Sequence, residues 1–271
     1  MTNEPGRGMV WMGSLVLTVR TTAFVAKNNH GGITDAVRFA RERLGFEPDP
    51  EQERALRGGW RGIVLCTRQW GKSTVMAAKA VHRAYSEPGS LILLLSPCLR
   101  QSGEFLKKAE EFVRRLGIKV RTDGNNQRSI VFPNGSRIVG LPQNEAKVRG
   151  FSKVSLLLID EASRVHDELY RAMRPTLAVG NGDLWLMSTP NGKRGFFHEE
   201  WTLGGERWVR IRVAAPDCPR IDPSFLADER AAASDAWYRQ EYLCEFVERE
   251  GAVFSQESID AALQDFEPLD L

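Results

Sequence analysis

Four short apolar runs punctuate the chain: Ile63–Cys66, Leu91–Leu95, Leu156–Ile159 and Leu184–Met187. None of them alternates with polar residues. That is the pattern of strands buried on both faces of a parallel sheet. Between the runs, apolar residues recur at helical spacing. Ala36, Val37, Phe39, Ala40 and Leu44 predict a helix capped by Thr34 and ended by Gly45, and Gly71–Tyr85 predicts a second, Ala-rich one. Leu99–Leu116 predicts an amphipathic helix. Pro50 suits the first turn of another, entered from Phe46–Asp49. Ser129–Phe132 and Arg137–Val139 flank Asn134-Gly135, which predicts a hairpin, and Trp208–Val213 predicts a last strand. Strands alternating with helices predict an α/β fold with a mainly parallel sheet.

The first 33 residues do not continue this rhythm. Met9–Val19 is apolar but too short to span a bilayer, and it bears only a faint likeness to a secretory signal. The chain thus divides into an N-terminal extension (1–33), an α/β domain (34–250) and an acidic tail or linker (251–271). A loosely ordered extension is expected, and no membrane association.

Composition changes the picture little. Of 271 residues 42% are hydrophobic and 27% charged, which suits a folded globular chain and excludes a fibrous repeat or a multi-span membrane protein. Cys66, Cys98, Cys218 and Cys244 are scattered without a CxxC pair, so neither a zinc ribbon nor a disulfide scaffold is expected. The net charge of +2 hides an asymmetry. Arg100–Arg149 holds eleven Lys/Arg against five Asp/Glu, whereas Asp222–Leu271 holds three against thirteen. A basic middle suits a polyanion or a solvated helix face. Its candidates for DNA contact are Lys107, Lys108, Arg114, Arg115, Lys119 and Arg121.

Three segments carry chemistry, each just after an apolar run. Cys66-Thr67-Arg68-Gln69-Trp70-Gly71-Lys72-Ser73-Thr74 nearly matches the phosphate-binding loop, with Cys66 in place of the first glycine. Backbone N–H groups at a helix N-terminus attract phosphate; Gly71 permits close approach, Lys72 reaches the β- and γ-phosphates, and the Ser73 hydroxyl suits Mg²⁺. Asp160-Glu161 ends the third run, at the sheet edge where open α/β folds bind ligands. Asp160 suits Mg²⁺ and Glu161 the attacking water. Ser188-Thr189-Pro190 follows the fourth run; it reads as a sensor of the γ-phosphate or as a plain turn.

These segments together resemble the large terminase subunits of tailed bacteriophages. Arg68-Gln69 inside a loop lacking its first glycine is similar to their deviant phosphate loop. Pro48–Gln52 resembles their adenine-binding segment, with Gln52 reading the base edge. Ile159–Ala162 resembles their magnesium and catalytic-acid segment, Ser188–Phe197 their coupling segment, and Tyr238–Phe246 the end of their ATPase domain. The resemblance implies a P-loop NTPase of the additional-strand, RecA-like type that uses ATP and Mg²⁺ to drive double-stranded DNA into a procapsid in the host cytoplasm. It implies a ring of subunits, monomeric in isolation, acting with a portal ring and a small terminase subunit. Arg149 is the candidate finger for a neighbour's site, or an ordinary DNA-facing arginine; Arg68 is a candidate phosphate contact in cis. The acids of residues 260–270 lack strands to hold them, so no nuclease activity is expected of this chain, and a separate nuclease chain would supply it. The alternatives are a non-catalytic prophage remnant or assembly subunit, and a helicase-like translocase.

Overall fold

A computed structural model describes residues 35–121, 129–143 and 150–248. The predicted extension (1–33), the Thr34 cap, Arg149 and the acidic tail (251–271) lie outside the described residues.

The first helix, α1 (Ala36–Leu44), is capped by Asp35, whose carboxylate accepts from the Arg38 N–H at 2.8 Å. Gly45 ends it in the left-handed region at φ +58°, as expected. Helix α2 (Pro50–Arg57) opens with a full capping box: Asp49 accepts from the Gln52 N–H, and Gln52 accepts from the Asp49 N–H.

The four apolar runs all become strands: β1 (Arg61–Cys66), β2 (Leu91–Ser96), β5 (Val154–Asp160) and β6 (Asp183–Ser188); the expected last strand is β7 (Val209–Val213). The predicted hairpin is β3 (Ser129–Val131) with β4 (Arg137–Pro142). Its turn closes from the Gly135 N–H to the Phe132 carbonyl at 3.1 Å, with Gly135 at φ +84°. Asn134-Gly135 therefore ends the turn, and Pro133-Asn134 occupies its centre.

Among the described residues the sheet has seven strands in the order β3-β4-β2-β5-β6-β1-β7. Every neighbouring pair is parallel except β3 with β4. One extra strand, β6, thus stands between β1, which feeds the phosphate-loop segment, and β5, which ends in the acid pair. This is the additional-strand P-loop arrangement.

The strands bury both faces. Val64, Cys66, Ile92, Leu94, Leu156 and Leu158 face α1, α2, α3 (Lys72–Ser86) and α4 (Leu99–Arg115). Ile63, Leu65, Leu93, Leu157 and Ile159 face α5 (Asp167–Met173) and α6 (Gly195–Leu203). Helices α7 (Pro223–Ala232) and α8 (Asp235–Glu241) follow the last strand. Full burial on both faces is why the runs lack alternation.

Trp185 on β6 needs room that only glycine leaves. A Cβ on Gly62 or Gly58 would sit 2.3 or 2.5 Å from its indole. The same indole meets the Lys79 ammonium 4.4 Å from a ring centroid. Lys79 is buried and donates to the Ala55, Leu56 and Gly58 carbonyls at 3.0–3.1 Å. A lysine of α3 therefore satisfies the end of α2, where carbonyls would otherwise lack partners.

Among the described residues, no helix is long and apolar enough to cross a membrane.

Candidate nucleotide site

The segments that follow β1 and β5 meet at a cleft of about 730 Å³. It is lined by Gln52, Arg68, Gln69, Trp70, Gly71, Lys72, Ser73, Thr74 and Glu161, so most of the predicted residues meet there. Gln101, Lys108, Arg164 and Arg220 line it as well.

The loop from Thr67 to Gly71 is shaped by two left-handed residues, Gln69 at φ +67° and Gly71 at φ +98°. A side chain on Gly71 would be strained, and its Cβ would lie 3.1 Å from the Gln52 amide. No side chain caps the start of α3, so its first N–H groups are left to a ligand. Cys66 stands where the glycine was missed, but it is the buried last residue of β1. Burial pushes its thiol far above the ordinary range.

The loop's anchor is the Trp70 carbonyl. It accepts from Gln52 Nε2 at 3.0 Å and from Arg220 Nη2 at 2.6 Å. The Trp70 side chain itself is buried. Gln52 keeps one amide hydrogen and one carbonyl lone pair beyond its capping box and this bond, which is what a bidentate contact with a base edge requires.

Two strand spacings, roughly 10 Å, separate β1 from β5. Long side chains close that gap: Lys72 Nζ lies 2.8 Å from Glu161 Oε1, with the two side chains 14% and 16% exposed. Burial opposes the Lys72 charge, but Glu161 and Asp160 outweigh it and hold the ammonium above its ordinary pKa. Glu161 itself sits at φ +49°, a costly conformation for a non-glycine residue. It turns the chain off β5 into the short 3-10 turn Ala162–Arg164.

Asp160 lies behind this pair, 5% exposed, and accepts from the Glu161 N–H at 3.0 Å. Burial pushes its carboxyl up to about 6, against the pull of Lys72. A carboxylate at the end of β5 and the Ser73 hydroxyl in the first turn of α3 are oxygen donors of the kind that Mg²⁺ takes, and it needs few from the protein.

The coupling segment is tied to both sides. The Ser188 and Ser163 hydroxyls are 2.8 Å apart, which links β6 to the turn after Glu161. The Gly192 N–H donates to Gln240 of α8 at 3.0 Å. Thr189 Oγ1 is buried with no hydrogen-bond partner, and Pro190 is buried too.

Arg68 points along the same rim. Its Nε lies 2.9 Å from Glu241 Oε2. Arg164 stands 3.9 Å from Glu161 and 3.8 Å from Glu241. The charges therefore form a chain, Lys72–Glu161–Arg164–Glu241–Arg68, that returns to the loop where it began.

The six basic candidates for DNA contact have different surroundings. Lys108 lines the cleft. Arg115 donates to the Leu44 and Gly45 carbonyls at 2.6 and 3.3 Å, so it closes the end of α1. Lys107 is exposed and paired with Glu104, and Arg114, Lys119 and Arg121 are exposed. Lys108 was legible in the sequence: Phe105, Ala109 and Phe112 place it on the edge of the apolar stripe. Arg220 and Arg164 carried no local signal.

Comparisons with known proteins bear on the family and the fold. Residues 63–261 match the family model described as terminase large subunit, T4likevirus-type, N-terminal. The terminase large subunit of Escherichia phage T5 is 26% identical over 204 residues, covering 72% of this chain and 46% of that protein. The chain spans about half the length of the curated relatives it matches. The large terminase ATPase domain of Thermus phage P74-26 superposes with a TM-score of 0.67 at 22% identity, covering 80% of this chain and all of that one. The large terminase of bacteriophage HK97 gives 0.64 at 14%, covering 78% and 54%. This chain belongs to the terminase large-subunit family.

Proposed function

We propose that this chain is the ATP-hydrolysing motor domain of a terminase, driving double-stranded DNA into a procapsid. The observation that carries the reading is the 2.8 Å contact of Lys72 with Glu161 across β6, beside a helix start with open N–H groups. It supports Lys72 as the phosphate-binding cation and Glu161 as the general base of one reacting centre.

Gln52 reads the adenine edge, and Gln69 to Thr74 wrap the phosphates. Lys72 leaves Glu161 for the β- and γ-phosphates, which frees Glu161 to take a proton from the attacking water. Ser73 and Asp160 would hold Mg²⁺, which would supply positive charge to the reaction. Arg68 reaches the phosphates in cis, and Arg149 of a neighbouring subunit completes the site. Ser188, Thr189 and Pro190 pass the state of the γ-phosphate to Ser163 on one side and, through Gly192, to α8 on the other. A large terminase from a thermophilic bacteriophage has been solved in complex with ADP and with ATP-γ-S, which supports a nucleotide in this cleft. Portal ring, small subunit and a homo-oligomeric ring follow from the family, with host cytoplasm as the place of action.

The test is phosphate release with ATP and Mg²⁺ over a range of protein concentrations, with and without duplex DNA. Turnover rising faster than linearly, and rising again with DNA, is expected. Bound nucleotide without turnover in any condition overturns the motor reading in favour of a non-catalytic assembly subunit. Lys72→Ala weakens nucleotide binding in the same titration; equal affinity refutes the phosphate loop.

A further inference from the structure

Arg220 lies in the segment between β7 and α7, remote in sequence from every phosphate-loop element. Yet it lines the cleft, and both its hydrogen bonds go to the corner where the base is read. Nη2 donates to the Trp70 carbonyl at 2.6 Å and to Asp49 Oδ2 at 3.0 Å. Gln52 donates to that same carbonyl at 3.0 Å, and its own N–H is held by the other oxygen of Asp49 at 2.9 Å. One carboxylate and one carbonyl thus fix the amide and the guanidinium side by side.

The two groups are held differently. Gln52 is 3% exposed, so it can offer only its edge. Arg220 is 47% exposed, donates through a single nitrogen, and lines the cleft. Lys108 enters the cleft from α4, and three other cations are held by carboxylates. Arg68 and Arg164 are engaged with Glu241, and Lys72 with Glu161.

We propose that Arg220 is a base-binding residue: its guanidinium plane stacks on the face of the purine whose edge Gln52 reads. Flat guanidinium groups stack on nucleobases, and a lysine cannot do this because its ammonium has no plane. Asp49 and Trp70 hold the plane in place before nucleotide arrives, so little rotamer entropy is lost on binding. The inference rests on the nucleotide reading of the cleft.

Calorimetric titration of the full chain with magnesium ADP and with magnesium pyrophosphate separates the parts. Arg220→Ala and Arg220→Lys are each expected to weaken ADP about tenfold, the scale of one base-stacking contact. Both should leave pyrophosphate within about twofold. Equal loss of ADP and pyrophosphate overturns the proposal and makes Arg220 a brace for the phosphate loop. Arg220→Lys with the parent's ADP affinity also overturns it, because charge without a plane would then suffice. A parent protein that binds pyrophosphate as tightly as ADP has no base subsite, which removes the proposal while the phosphate loop stands. A parent that binds neither refutes the nucleotide reading itself.

Discussion

Glu161→Gln separates binding from chemistry, and the structure gives the direction of both effects. Lys72 is paired with Glu161 at 2.8 Å. Nucleotide must break that pair before Lys72 can reach a phosphate. At an effective dielectric of 20 the pair's Coulomb energy is about 6 kcal/mol. Water and the phosphates replace most of it, since neither side chain is fully buried, and a net of about 2 kcal/mol is the scale of a hydrogen bond between charged groups. Glutamine removes the competing charge and keeps the side chain's size. ADP affinity should therefore rise roughly ten- to thirtyfold, read by isothermal titration calorimetry. Hydrolysis should fall by about a hundred- to ten-thousandfold, the usual contribution of a general base. Unchanged ADP affinity would show that the pair survives nucleotide binding. Unchanged turnover would remove Glu161 from the mechanism.

Asp160 carries a pH dependence of stability. Its folded pKa of about 6 exceeds the unfolded value of 3.8, so the unfolded chain holds fewer protons between those limits. Stability therefore declines as pH rises from about 4 to 6, by roughly 3 kcal/mol. Asp160→Asn should raise the Tm of the ligand-free protein at pH 7.5 and lose that gain near pH 4; a Tm difference independent of pH sinks the argument. Lys79→Met should cost about 2–3 kcal/mol in urea unfolding, because three carbonyls at the end of α2 lose their donor; a neutral result would mean that water replaces the ammonium. Gly62→Ala should destabilise by at least about 2 kcal/mol, since its Cβ would meet Trp185 at 2.3 Å. Gly59→Ala is its control, with nothing within 4 Å of the added Cβ, and equal effects on the two Tm values would refute the packing account.

The sequence by itself determined the local chemistry. Unbroken apolar runs can only be satisfied by strands covered on both faces, and each run ends where its polar residues begin. That places Gly71, Lys72 and Ser73, the pair Asp160-Glu161, and Ser188-Thr189 at strand ends. The order of these segments also carried the family. Caps were legible to within a residue: Gly45 and Pro50 as expected, with Asp35 serving as the cap of α1.

Only the tertiary structure decided what meets what. The insertion of β6 between β1 and β5 sets a gap that Lys72 and Glu161 can just span, and strand order is fixed by crossovers and packing that no local window contains. Arg220 and Arg164 reach the cleft, and Glu241 reaches Arg68 and Arg164, from segments distant in sequence from the phosphate loop. Charge counting located the basic middle, and folding set where each of its charges goes. In the basic middle, Lys108 turned into the cleft because α4 rotates about 100° per residue, and Arg115 went to the end of α1 because carbonyls there lacked donors. A charge is read from composition, but its partner is set by which unsatisfied group the fold brings within reach.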